Sequence, residues 1–200
     1  MSIQEVEVTL EELQSLDQDQ ILSSCKSPVY YELESAFGSI KGSNAAKLLS
    51  ATCSMHLKPE NPKAPFSPKF IMQDRRGLIA NDFSKESLNA LSQFCHSVTI
   101  PELQARLADI SWVTKVGSVE HAYIAIEAYL ESAKQLLAVG ESWVYPAERI
   151  ERALRLSCMF RRDTQRPDLF EKLAGFIKSE IDSKKLDDSP FYALRLLKLS

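Results

Sequence analysis

Apolar residues recur at three- and four-residue steps through most of this 200-residue chain, the period of helices that bury one side. Leu10, Leu13, Leu16 and Ile21 share a side in the first such segment. Thr9 with Glu12 has the capping-box spacing, which predicts one helix running to about Ser23. Ser27-Pro28 is a second start signal, with proline at the first helical position, and the helix from Val29 is expected to end before Gly38. Ser43 opens a third, with Ala46, Leu49, Ala51, Cys53 and Met55 along it. The pattern then changes, because Pro59, Pro62, Pro65 and Pro68 recur at every third position and favour extended polyproline II. We read this stretch as a rigid surface crossing between helical parts, in preference to an SH3-type ligand. Apolar residues flank Asp74-Arg75-Arg76-Gly77, where aspartate can open and glycine can close a tight turn, so a small β-hairpin is expected near 70–79.

The helical period then returns: Asn81, Asp82 and Ser84 supply cap candidates for a helix that carries Leu88, Leu91 and Phe94 and stops near His96. Thr99 and Glu102 repeat the capping-box spacing, with Pro101 in the first turn, and Leu103, Leu107 and Ile110 mark the buried side of a helix to about Lys115. After Gly117, Ser118 caps a long helix carrying Ala122, Tyr123, Ile126, Tyr129, Leu130, Ala133 and Leu137. So short a break forces an antiparallel pair. Pro146 opens the next helix, with Ile150, Ala153, Leu154, Ser157 and Cys158 inward. Arg166-Pro167 starts its partner, carrying Leu169, Leu173, Phe176, Ile177 and Ile181, and a last helix from Ser189-Pro190 carries Phe191, Leu194, Leu197 and Leu199. The expected fold is all-α: antiparallel helical hairpins, α-solenoid-like, with one minor β-hairpin. Short helices over 1–58, the proline-rich crossing and hairpin over 59–83, and a helical-hairpin core over 84–200 are expected to form one compact domain.

Composition narrows the function. Hydrophobic residues are 44% and charged residues 26%, which suits a globular chain with a real core and leaves no apolar run long enough to span a membrane. The net charge of -3 excludes a general electrostatic grip on nucleic acid but permits a local basic patch. Six glycines are too few for a glycine-rich phosphate cradle, and neither the Walker pattern nor G-x-G-x-x-G occurs. Cys25, Cys53, Cys95 and Cys158 contain no C-x-x-C pair and read as four reduced, mostly buried thiols. MSIQEVEVTLEEL has acidic residues and no apolar h-region, so a signal peptide is not expected and a cytoplasmic location is.

Candidate chemistry is sparse. His56, His96 and His121 are far apart in sequence, so a metal site would need long-range assembly; they read as surface or cap histidines, with no metal and no cofactor expected. G-x-S-x-G is absent. The richest stretch is Pro101 to Trp112, where Glu102 and Asp109 lie four before and three after Arg106 and share its helical face. Arg106 could serve an anion or catalysis. We expect instead that Arg106 and Asp109 tie the helix to its neighbours while Trp112 anchors the hairpin. Arg149, Arg152, Arg155, Arg161, Arg162 and Arg166 form one basic cluster, a nucleic-acid candidate whose plainer reading is a solvated face paired with acids on neighbouring helices.

Phe66-Ser67-Pro68, Asp74-Arg75-Arg76, the Pro-Glu-Leu-x-Ala-Arg-Leu-Ala-Asp-x-x-Trp stretch at 101–112 and Ala125-Ile126-x-Ala-Tyr-Leu-x-Ser-Ala at 125–133 carry a resemblance. This run resembles the helical N-terminal region of large, uncharacterised bacterial proteins, a domain of unknown function often joined to a C-terminal domain similar to HEPN-type ribonucleases. The resemblance implies a module, not an activity. A HEPN-type site places an arginine four to six positions before a histidine, and none of the three histidines has one. The expectation is therefore a non-catalytic scaffold or adaptor that binds a protein partner or itself through apolar helix faces such as 191–199, in a bacterial defence-type setting. The alternative is a nucleic-acid-binding accessory domain of a HEPN-like ribonuclease.

Overall fold

The computed structural model describes residues 6–59, 61, 70–142, 144–160, 166 and 168–182. The chain is all-α with one small sheet: helices α1 (Leu10–Gln14), α2 (Gln18–Ser23), α3 (Tyr30–Ser39) and α4 (Asn44–Ser54) precede strands β1 (His56–Pro59) and β2 (Phe70–Gln73). Helices α5 (Lys85–Phe94), α6 (Pro101–Val113), α7 (Val119–Ala138), α8 (Val144–Met159) and α9 (Asp168–Asp182) follow.

The Thr9–Glu12 capping box forms as the spacing predicts, with the Glu12 amide donating to Thr9 Oγ1 and the Thr9 amide to Glu12 Oε2. The helix it opens does not reach Ser23 unbroken. Asp17 accepts from the Gln20 amide at 3.0 Å and starts α2 afresh, since a short acidic side chain serves an N-cap better than a helix interior. The second helix begins at Tyr30, two residues after Pro28, and continues through Gly38; the left-handed residue is Gly42, at φ 80° in the turn before Ser43 caps α4.

The turn at Asp74 is built as expected: Asp74 Oδ1 accepts from the Arg76 and Leu78 amides, and Gly77 has φ 91°. Its strands differ from the expected hairpin. Beyond the turn only Gln73 and Ile79 form a bridge, and β2 takes β1 as its antiparallel partner, His56 opposite Gln73 and Pro59 opposite Phe70. The sheet thus joins the two ends of the proline-rich crossing. Pro62, Pro65 and Pro68 themselves, and the segment from Ser189 with its apolar face at 191–199, lie outside the described residues.

Helix α6 is the centre of the fold. Every residue from Ala105 to Ser111 is buried, so its polar positions face other helices rather than water. Side-chain bonds fix the directions of the helices around it. Glu102 meets Ser132 and Asp109 meets Tyr129, so α7 runs antiparallel to α6; Glu102 meets Arg149 and Asp109 meets Arg152, so α8 runs parallel to it. One continuous apolar cluster extends from Val8 in the N-terminal segment to Ile177 in α9.

Trp112 is half-buried at the end of α6, its ring edge-on to Phe160 with centroids 5.6 Å apart. It packs against the core without being enclosed by it. Trp112→Ala is therefore expected to cost about 2 kcal/mol, below the roughly 3–5 kcal/mol of a fully enclosed aromatic. Chemical denaturation checks this.

Candidate functional site

Charge is concentrated inside the molecule. Glu102 and Asp109 are fully buried on α6, one turn apart from Arg106 on either side, and Arg149, Arg152 and Arg155 are at most 2% exposed on α8. Spacings of three and seven residues put these groups on the facing sides of two parallel helices, which is why they meet. Glu102 holds two guanidiniums at once: Arg106 Nε donates to Oε1 at 2.7 Å, while Arg149 donates from Nε to Oε2 and from Nη2 to Oε1 at 2.9 and 2.6 Å. Ser132 donates to Glu102 Oε2 as well, and Arg106 Nη1 donates to the Met55 carbonyl. Arg152 grips Asp109 through Nε and Nη2 at 2.8 and 2.6 Å, and the Tyr129 hydroxyl donates to the same carboxylate. Arg155 Nε donates to Glu151 on its own helix.

Aromatic rings close both ends of the array. Tyr30 lies over the guanidiniums of Arg106 and Arg149, at 5.2 and 5.5 Å, and Phe70 of β2 lies over those of Arg152 and Arg155, at 5.2 and 4.8 Å. The small sheet thus serves as a lid. Burial drives the Glu102 carboxyl up, but the attraction and hydrogen bonds of Arg149 and Arg106 outweigh it and hold the group well below the usual carboxylate range. Burial first, and the Asp109 charge second, push the Tyr129 hydroxyl well above its ordinary value. Arg149 is raised because Glu102 overcomes its desolvation.

Three expectations change here. Arg106 and Asp109 do tie α6 to its neighbours, yet not through one another: Arg106 is bound to Glu102 and Asp109 to Arg152 and Tyr129. The second capping box does not form, since Glu102 turns inward and the Thr99 amide donates instead to Gln18 Oε1. The basic cluster is no solvated face. Arg149, Arg152 and Arg155 are enclosed, and acids on α6 and α8 supply the pairing that offsets their desolvation. Arg166 is surface-lying and paired with Glu127 and Asp168; Arg161 and Arg162 lie outside the described residues. The sequence pattern does not single out Ser132 or Tyr30, and it places Tyr129 with the apolar positions of its helix. Their only signal is polar atoms at helix-period positions, visible once the charged partners are known.

The long-range assembly of histidines does occur. Cys95, His96 and His121 place one potential ligand atom each within 4.8 Å of the others. Their hydrogen bonds speak for structure rather than a metal. The His121 Nδ1 accepts from the Ser118 amide, so its proton sits on Nε2, which lies 2.9 Å from Ser92 Oγ and 3.2 Å from the Ser92 carbonyl. A metal at Nε2 would force the proton onto Nδ1, against an N–H donor, whereas a ligating histidine needs an acceptor there. Burial pushes the Cys95 and Cys53 thiols up to about 12, while Cys25 is half-buried and Cys158 exposed. Gly117 permits this His121 cap, since a Cβ there would lie 2.6 Å from His121 Cγ and 2.9 Å from Ser111 Cβ. Gly117→Ala is therefore expected to destabilise the α6–α7 turn by about 1–3 kcal/mol in urea denaturation.

A family model for a domain of unknown function, DUF7380, matches residues 3–169. No curated protein and no solved structure matches the chain. No helix of the described residues is long and apolar enough to cross a membrane.

Proposed function

For this chain, which belongs to the DUF7380 family of unknown function, we propose the role of a non-catalytic helical scaffold or adaptor that mediates protein–protein interaction. The observation that supports it is the buried charge array: Glu102, Arg106, Asp109, Arg149 and Arg152, the residues best suited to chemistry, make hydrogen bonds to one another and to Tyr129, Ser132, Met55, Tyr145 and Glu148. Paired charges of this kind fix the register of α6, α7 and α8 and so present a surface of fixed shape, a requirement for recognition without rearrangement. A cytoplasmic, bacterial defence-type setting belongs to the same proposal and rests on the resemblance described above; genes for nucleases, toxins or phage defence beside this one would support it, and a metabolic operon would count against it. The nucleic-acid reading needs surface arginines, and Arg149, Arg152 and Arg155 do not supply them.

A photo-cross-linking residue at each of Leu22, Ile71, Val119, Val139 and Met159, all exposed apolar positions, tests the role in living cells. The adaptor reading predicts adducts with one protein from a subset of positions, and a complex that re-forms from purified components. Adducts that vanish with ribonuclease, or none at any position, would overturn it.

A further inference from the structure

Three tyrosines meet at the surface above the buried arginines. Tyr30 and Tyr31 begin α3, Tyr145 lies in the first turn of α8, and their ring centroids are 5.6, 5.7 and 6.0 Å apart, each half-buried. His56, at the start of β1, touches Tyr30 on the far side, at 5.6 Å. The platform is held from beneath and from the side. Tyr30 rests on two guanidiniums that are themselves locked by Glu102, and Ser27 just before α3 donates to Glu141 just before α8, at 2.5 Å.

Carboxylates outnumber cations around Tyr31 and Tyr145. Burial raises both hydroxyls, and the charges that raise them further are Glu141 and Glu32 at Tyr31, and Glu141 and Glu148 at Tyr145. Arg149, which lowers the Tyr145 hydroxyl, is enclosed and committed to Glu102 and Glu148, and Lys26 lies beside Glu32, whose carboxylate accepts from its amide. His56 is lowered by burial first and then by the charges of Arg106, Arg75 and Lys58, with Glu148 acting against them, and Arg75 lies 3.8 Å from Glu34. Tyrosine clusters supply large, rigid contact area at small entropic cost, and aromatic faces beside carboxylates favour guanidinium and ammonium groups.

We propose that Tyr30, Tyr31 and Tyr145, with Glu32, Glu141 and Glu148, form a docking surface for a basic segment of a partner protein, one that lays arginine or lysine side chains across the rings. This rests on the adaptor reading and names the chemistry of its partner. The same carboxylates repel phosphates, so nucleic acid is a poor occupant.

The test uses the full chain with ring-labelled tyrosines and, as probe, a blocked hexapeptide of alternating glycine and arginine, with its glutamate counterpart as control. The proposal predicts saturable NMR shifts at Tyr31 and Tyr145 with the arginine peptide, weakening severalfold as salt rises from about 50 to 200 mM. Glu148→Gln, which keeps an acceptor for Arg149, should weaken binding at least threefold with the melting temperature unchanged, and Tyr31→Ala should abolish it. If Tyr31→Ala does not fold, the Glu148→Gln result decides. An absence of ring shifts at millimolar peptide, or equal shifts with the glutamate peptide, overturns the proposal. Protein adducts in the cross-linking experiment without ring shifts here would overturn this surface and leave the adaptor reading standing, whereas ring shifts without protein adducts would overturn the adaptor reading and with it a protein occupant, leaving the rings a site for guanidinium groups alone.

Discussion

Glu102→Ala should be among the most damaging single changes available in this chain. The substitution leaves Arg106 and Arg149 enclosed without their shared carboxylate, and Ser132 without its acceptor. Breaking a buried pair from one side costs about 3–5 kcal/mol, because the stranded charge keeps its desolvation penalty and loses the attraction that offset it. At about 2–4 °C per kcal/mol for a chain of this size, the melting temperature should fall by roughly 6–20 °C. The effect has a pH signature. The folded-state pKa of Glu102 lies below its unfolded value of about 4.3, so its contribution is complete above that value and is lost as pH falls through the folded pKa. Glutamine imitates the protonated carboxyl. The stability gap between the parent and Glu102→Gln should therefore be widest above about pH 5 and shrink on acidification, as urea denaturation across pH would show. A gap that stayed constant down to pH 3 would mean that the folded Glu102 carboxyl is not held below its unfolded pKa.

Asp109 carries the second large effect. Asp109→Ala strands the enclosed guanidinium of Arg152 and removes the acceptor of the Tyr129 hydroxyl, at a cost again of about 3–5 kcal/mol. The informative experiment adds the partners. Asp109→Leu, Arg152→Met and Tyr129→Phe made together remove the Asp109–Arg152 pair and the hydroxyl bonded to it, and apolar groups of similar volume often replace a buried ion pair at no net loss. The triple variant should recover most of the stability that Asp109→Ala loses. If each single change were mild and the triple severe, the cluster would not be a closed electrostatic unit.

Much of the fold is legible in the sequence because local rules decide it. Thr9 and Ser43 cap the helices they are expected to cap, Ser84 is the one of three candidates that caps α5, and the Asp74–Gly77 turn follows from the residues that tolerate it. The errors arise where tertiary contacts compete with local ones. Glu102 stands at a capping position yet is worth more beside two arginines, so the spacing alone misleads. The arginines of α8 look like a surface stripe because composition cannot show that acids seven residues apart on another helix neutralise them. The β1–β2 pairing depends on a contact across the proline-rich crossing, which no local pattern encodes. Helix α6 itself is legible from Pro101 and the spacing of Leu103, Leu107 and Ile110; what that spacing does not show is that its polar positions are buried as well.

The central claim is that these arginines are enclosed and bonded within the chain, and their Nε–H protons report on it directly. Arg106, Arg149, Arg152 and Arg155 each donate Nε–H to a buried carboxylate, at 2.7, 2.9, 2.8 and 2.9 Å. Nitrogen-15 NMR of the full chain should show four slowly exchanging arginine Nε–H signals that persist at pH 8, where exposed guanidinium protons exchange too fast to observe, and that do not move when RNA or phosphate is added. Fast exchange of these signals, or their displacement by either anion, would contradict the account and return the arginines to the surface as a binding site.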